Sequence, residues 1–161
     1  MKICNSEAMK LIKELETRKS IIVYTEENRS RVSYKEDEVK CVSKYSYEDT
    51  RKEIEEIDLQ IRKIKHALAC ANCTVMVDGF DITIGEALVY LAQLNAEYSR
   101  LDDLGEYDKL SRRITSNGVL EYTECLYDPD KVIEEQKKLY SIICKLQVAI
   151  DKANLTNLID I

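Results

Sequence analysis

Apolar residues recur along most of this chain at alternating steps of four and three, the period of one helical face. The clearest run is 47–71, where Thr50, Ile54, Ile57, Ile61, Ile64, Leu68 and Ala71 form an unbroken seam with charged residues on the other sides. Ser46, with Asp49 three residues on, supplies its N-cap. The last long segment repeats the pattern through Val132, Gln136, Leu139, Ile143, Leu146, Ile150 and Ala153. It opens on Asp128-Pro129, where a proline at the first helical position gives up an N–H that has no helical partner anyway. A third helix is seamed by Ile84, Ala87, Leu91, Leu94, Tyr98 and Leu101 and ends near Gly105. A fourth covers roughly 5–30 with Ala8, Ile12, Leu15 and Ile22 inward, and Lys19 and Glu26 interrupt its second half.

Between the 47–71 helix and the Ile84 helix the period changes. The stretch "TVMVDGFDI" sets Asp78-Gly79 between two apolar-rich arms, the strongest short-range hairpin signal, and a type I′ turn there requires two positive φ values. Thr83-Ile84-Gly85-Glu86 follows directly as a capping box. A hairpin at 74–82 therefore connects two antiparallel helices. Residues 31–45 and 119–127 are also rich in Val, Tyr, Thr and Cys with partial alternation. In an up-down-up-down bundle they fall at the same end, and the pattern predicts that they pair into a small sheet. An isolated two-stranded ribbon is marginal in water. The 72–82 hairpin is thus expected to lean on the C-terminal tail "NLTNLIDI" or on a second subunit. The fold expected is mainly α: an antiparallel bundle of about four long helices with coiled-coil-like seams and small β-ribbon connectors, forming a single domain over 1–161.

Composition narrows the function classes. The 161 residues are 34% charged with a net charge of −6, and the densest basic group, Lys109 with Arg112 and Arg113, sits beside Glu106 and Asp108. Duplex binding works by neutralising phosphates with clustered cations, so nucleic acid is not an expected partner. No run of about 18 apolar residues is present and the N-terminus has no apolar core of a signal peptide, so a membrane is not an expected partner either, and a cytoplasmic protein is expected. The six cysteines (4, 41, 70, 73, 125 and 144) then read as reduced thiols, and the sequons at Asn72 and Asn154 as accidental.

Candidate chemistry is sparse. His66, Cys70 and Cys73 share one solvent-facing helical stripe in an H-x3-C-x2-C spacing, the only pattern that suggests a metal or redox site. Zinc wants four ligands, and Cys125, the conceivable fourth, is expected at the opposite end of the bundle. Incidental surface thiols are the expectation, with no metal and no cofactor. A di-iron carboxylate centre needs inward Glu-x-x-His pairs, whereas Lys63 stands three residues before the single histidine. The four glycines, at 79, 85, 105 and 118, are too far apart for a phosphate cradle. With no catalytic residues to name, a non-enzymatic protein is expected. Ten tyrosines against one Phe are unevenly spread, and Tyr34, Tyr45, Tyr47, Tyr122 and Tyr127 fall in or beside the expected sheet. Tyrosine suits both a thin packed layer and an interface.

Asn72 and Thr74, the Asp78-Gly79 turn, and Thr83 with Glu86-Ala87-Leu88 resemble the most recognisable stretch of the septicolysin family. The C-terminal "AIDKANLTNLID" is similar as well, although Leu155 stands where that family carries an aromatic. The resemblance implies a helical coiled-coil fold, a homo-oligomer and no assigned biochemical function. These features favour a self-associating protein that acts through protein–protein contacts, with itself and an unknown protein partner. Two alternatives remain: a membrane-active, cytolysin-like protein, as the family name suggests, and a metal- or redox-responsive protein using His66, Cys70 and Cys73.

Overall fold

The computed structural model describes residues 1–40 and 44–161. Within them the chain is mainly α, with strands β1 (Lys2–Cys4), β2 (Met76–Val77), β3 (Ile82–Thr83), β4 (Leu110–Ile114), β5 (Leu120–Glu124) and β6 (Leu158–Asp160). The four helices are α1 (Asn5–Arg29), α2 (Tyr47–Thr74), α3 (Ile84–Gly105) and α4 (Pro129–Thr156). The strands form three antiparallel pairs, β1 with β6, β2 with β3 and β4 with β5. The chain divides into two compact units, Met1–Thr74 with Asn154–Ile161, and Val75–Ala153.

In the first unit α1 and α2 run antiparallel, as the descending order of the links shows: Glu16 to Lys65 and Lys19 to Asp58, then Glu26 to Tyr45 in the segment that leads into α2. The seams bury Ala8, Ile12 and Leu15 on α1 and Ile57, Ile61, Ile64 and Ala71 on α2. The two polar interruptions of the α1 seam are cross-links. Lys19 Nζ donates to both carboxylate oxygens of Asp58 at 2.6 and 2.7 Å, and Glu26 accepts the Tyr45 hydroxyl. That hydrogen bond pushes the Tyr45 phenol up to about 12. Helix α1 begins on an unusual cap: the Cys4 thiol accepts from the Glu7 N–H, and the Glu7 carboxylate accepts the Cys4 N–H at 2.9 Å. The second bond holds the Glu7 carboxyl below the ordinary carboxylate range.

The same unit joins the two ends of the chain. Strand β1 pairs with β6 in the register Lys2↔Asp160, Ile3↔Ile159, Cys4↔Leu158. The buried Asn5 side chain donates to Asn154 Oδ1 at 3.2 Å and accepts from Asn157 Nδ2 at 3.1 Å. Strand β6 thus takes its backbone partner from the N-terminal strand.

The second unit holds one continuous core of Val77, Ile84, Ala87, Leu94, Ile143, Leu146, Ile150 and Ala153. Helices α3 and α4 are antiparallel, with Tyr98 and Tyr140 ring centroids 5.8 Å apart and Gln136 bonded to Asp102 at 2.6 Å. The hairpin at 74–82 forms, with Met76↔Thr83 and Val77↔Ile82 paired. Its turn is wider than a two-residue type I′. Residues 78–81 span it, and the positive φ values fall on Gly79 (82°) and Asp81 (50°). The extra residues let Phe80 pack against the core. The Thr83–Glu86 capping box is present, with the carboxylate accepting the Thr83 N–H and hydroxyl at 2.8 Å each.

The expected pairing of 31–45 with 119–127 is not what forms. Residues 120–124 pair with 110–114 as the local hairpin β4–β5. No strand is present at 31–40, where Val39 is 96% exposed, and 41–43 lie outside the described residues. The tyrosines grouped by that expectation separate accordingly: Tyr34, Tyr45 and Tyr47 belong to the first unit, Tyr122 and Tyr127 to the second.

Candidate interaction surface

His66, Cys70 and Cys73 lie on the exposed side of α2. One helical turn brings Cys70 Sγ to 3.7 Å from His66 Nε2, and Cys73 is exposed on the next turn. Cys125 sits in the other compact unit, its thiol directed to the Asp108 carbonyl at 3.3 Å. Among the described residues no group of three or more His, Cys, Asp and Glu is placed to hold a metal ion. The described cysteines are all free thiols.

Exposed apolar faces of the second unit are more distinctive than any polar cluster. Helix α3 buries its expected stripe, with Ile84, Ala87, Leu94 and Leu101 buried and Leu91 and Tyr98 half-buried. At 100° per residue a second stripe runs along the nearly opposite side of the helix through Gly85, Leu88, Val89, Ala92, Ala96 and Ser99. It carries no charge, and from Leu88 onward every one of these residues is exposed, Val89 at 60%. Ten consecutive residues of α3, 87–96, have no charged side chain. A helix that faces one partner keeps a single apolar stripe and turns charge to the solvent. Beside α4, Asp78, Gly79 and Phe80 of the hairpin tip and Cys144, Lys145, Val148, Ala149 and Lys152 line an open groove of about 550 Å³. Lys152 bonds Asp78 at 2.8 Å across it, which lowers the Asp78 carboxyl and raises the lysine.

The β4–β5 hairpin is the second exposed surface. Its loop closes through Thr115 N–H to the Val119 carbonyl (2.8 Å) and Gly118 N–H to the Thr115 carbonyl (2.9 Å). Gly118 has φ 73°, a conformation that favours glycine. The register sets Leu110 opposite Glu124, Arg112 opposite Tyr122 and Ile114 opposite Leu120. Because strand side chains alternate, these six residues share one face, and Ser111, Arg113, Glu121 and Thr123 share the other. The second face is polar and carries the Arg113–Glu121 ion pair. The first sets Leu110, Ile114, Leu120 and Tyr122 around one arginine and one glutamate, and every residue of both strands is exposed, Ile114 at 74% and Leu110 and Tyr122 at 59% each. Sequence reasoning found the Tyr122 strand and missed its partner, because Arg112-Arg113 masks the alternation of Leu110 and Ile114.

Among the described residues no helix is long and apolar enough to cross a membrane. No protein-family model and no curated protein matches the chain. A solved structure, that of a functionally unknown conserved protein from Corynebacterium diphtheriae, superposes on it with a TM-score of 0.65 at 15% identity, over 99% of this chain and 100% of the other. What this likeness establishes is the fold: a mainly helical chain of this architecture.

Proposed function

We propose that this protein is a self-associating, non-enzymatic helical protein that acts through protein–protein contacts in the cytoplasm. The observation that carries this reading is the second apolar stripe of α3. Leu88, Val89, Ala92 and Ala96 face solvent on the side of α3 turned away from the stripe that the core already covers. Contiguous apolar surface of this kind, as distinct from single scattered residues, is what protein interfaces use. Free thiols at Cys4, Cys70, Cys73, Cys125 and Cys144 are in keeping with a reducing compartment. The resemblance to the septicolysin family points the same way, since it implies a coiled-coil oligomer.

Size-exclusion chromatography with light scattering, run over a concentration series, tests the reading. A discrete oligomer is expected, and Val89→Asp is expected to weaken an interface that uses α3. A mass of one chain at all concentrations would sink it.

A further inference from the structure

We propose that the apolar face of the β4–β5 hairpin docks against the same face of a second copy, two-fold related, so that the hairpins act as a pair of crossed arms. This deepens the reading above and rests on it. Three observations support the choice of a second copy. First, a two-stranded ribbon exposed on both faces is marginal alone, and this one has a face that water does not suit. Second, the area fits. Leu110, Ile114, Leu120 and Tyr122 are 59%, 74%, 45% and 59% exposed, and four such side chains supply apolar surface on the scale of the apolar half of the roughly 800 Å² each partner gives to a standard interface.

Third, the charges on the face complement themselves. Its only charged residues are Arg112 and Glu124, and neither forms an ion pair among the described residues. In a two-fold contact a residue pair occurs twice. Arg112 of each copy then meets Glu124 of the other. The same alignment carries the tip residues Ile114 and Leu120 just past the base of the second ribbon. There the chain holds Leu126, which is 100% exposed. A heterologous protein partner has no reason to match this internal pairing of charge and apolar ends.

A charge-swap series read by sedimentation equilibrium tests the docking. Arg112→Glu and Glu124→Arg are each expected to raise the dimer dissociation constant about tenfold or more, and the double variant to return it close to wild type. Ile114→Lys is expected to dissociate the dimer, while Thr123→Lys on the opposite face leaves it unchanged. Far-UV circular dichroism checks each variant, because the helices do not depend on this exposed ribbon. An oligomer that persists through Ile114→Lys, with no rescue in the double swap, would overturn the hairpin contact and leave self-association standing. A wild-type chain that stays monomeric would overturn both.

Discussion

Replacing Asn5 with Ala isolates the clasp between the two ends of the chain. The Asn5 side chain is 1% exposed and makes two hydrogen bonds, one to Asn154 and one from Asn157. Each bond contributes about 1 kcal/mol net, and a buried polar group left without its partner costs a further 1–3 kcal/mol. Asn154 and Asn157 are half-buried, so part of that second cost is relieved by water. The expected loss is about 2–4 kcal/mol, a large fraction of the 5–15 kcal/mol typical of a folded domain. Urea unfolding followed by circular dichroism at fixed protein concentration measures it. Asn157→Ala supplies the second arm of a double-mutant cycle, in which neighbours sharing a hydrogen bond couple by about 0.5–3 kcal/mol. Amide exchange at Ile3 and Ile159, paired across β1 and β6, should accelerate in the same variant. A loss under about 0.5 kcal/mol with no coupling would refute the argument that this network holds the termini together.

Other outcomes follow from the caps, the tyrosines and the thiols. Backbone hydrogen bonding from Thr83 and Cys4 holds Glu86 and Glu7 below their ordinary value of 4.5. Their stabilisation is therefore complete above pH 4.5 and lost as pH falls through the lower folded values. Thermal midpoints between neutral and acidic pH should fall less steeply in Glu7→Gln with Glu86→Gln than in wild type, and equal slopes would count against the caps. The Tyr45 phenol, raised to about 12 by its hydrogen bond to Glu26, should ionise last in an ultraviolet titration. Its contribution to stability is present below pH 10 and lost as pH rises through 12. Glu26→Gln should bring that tyrosine back towards the others, and an unchanged titration would mean the bond does not form. Cys70→Ser with Cys73→Ser, or treatment with a chelator, is expected to change neither melting temperature nor oligomeric mass. Loss of bound zinc in the double variant would reinstate a metal site at His66.

Periodicity made the helices legible because one buried face leaves a mark every three or four residues. Ile57, Ile61, Ile64 and Ala71 on α2, and Ile143, Leu146, Ile150 and Ala153 on α4, are buried as the spacing predicts. On α1 the same method stopped at Lys19 and Glu26, since a polar cross-link to Asp58 or Tyr45 has no apolar signature. Strand β1 was not anticipated: three residues carry no period, and its partner lies at the far end of the chain. The misassigned pairing of 119–127 has an entropic explanation. Closing the short Thr115–Val119 loop, instead of one of about 75 residues, spares roughly 2 kcal/mol of loop entropy. The sequence pointed to the tyrosine-bearing strand of the candidate surface but not to the strand completing its face. It also did not distinguish the second stripe of α3 from a broad buried one, because exposure is a property of packing.

Native mass spectrometry on untagged protein, purified without chelators, addresses self-association most directly, since subunit number and any bound mass are read together. A discrete multiple of the 18.6 kDa chain with no added mass is expected. A population of single chains throughout the micromolar range would contradict it, and would leave the faces of α3 and of the β4–β5 hairpin without the partner proposed for them.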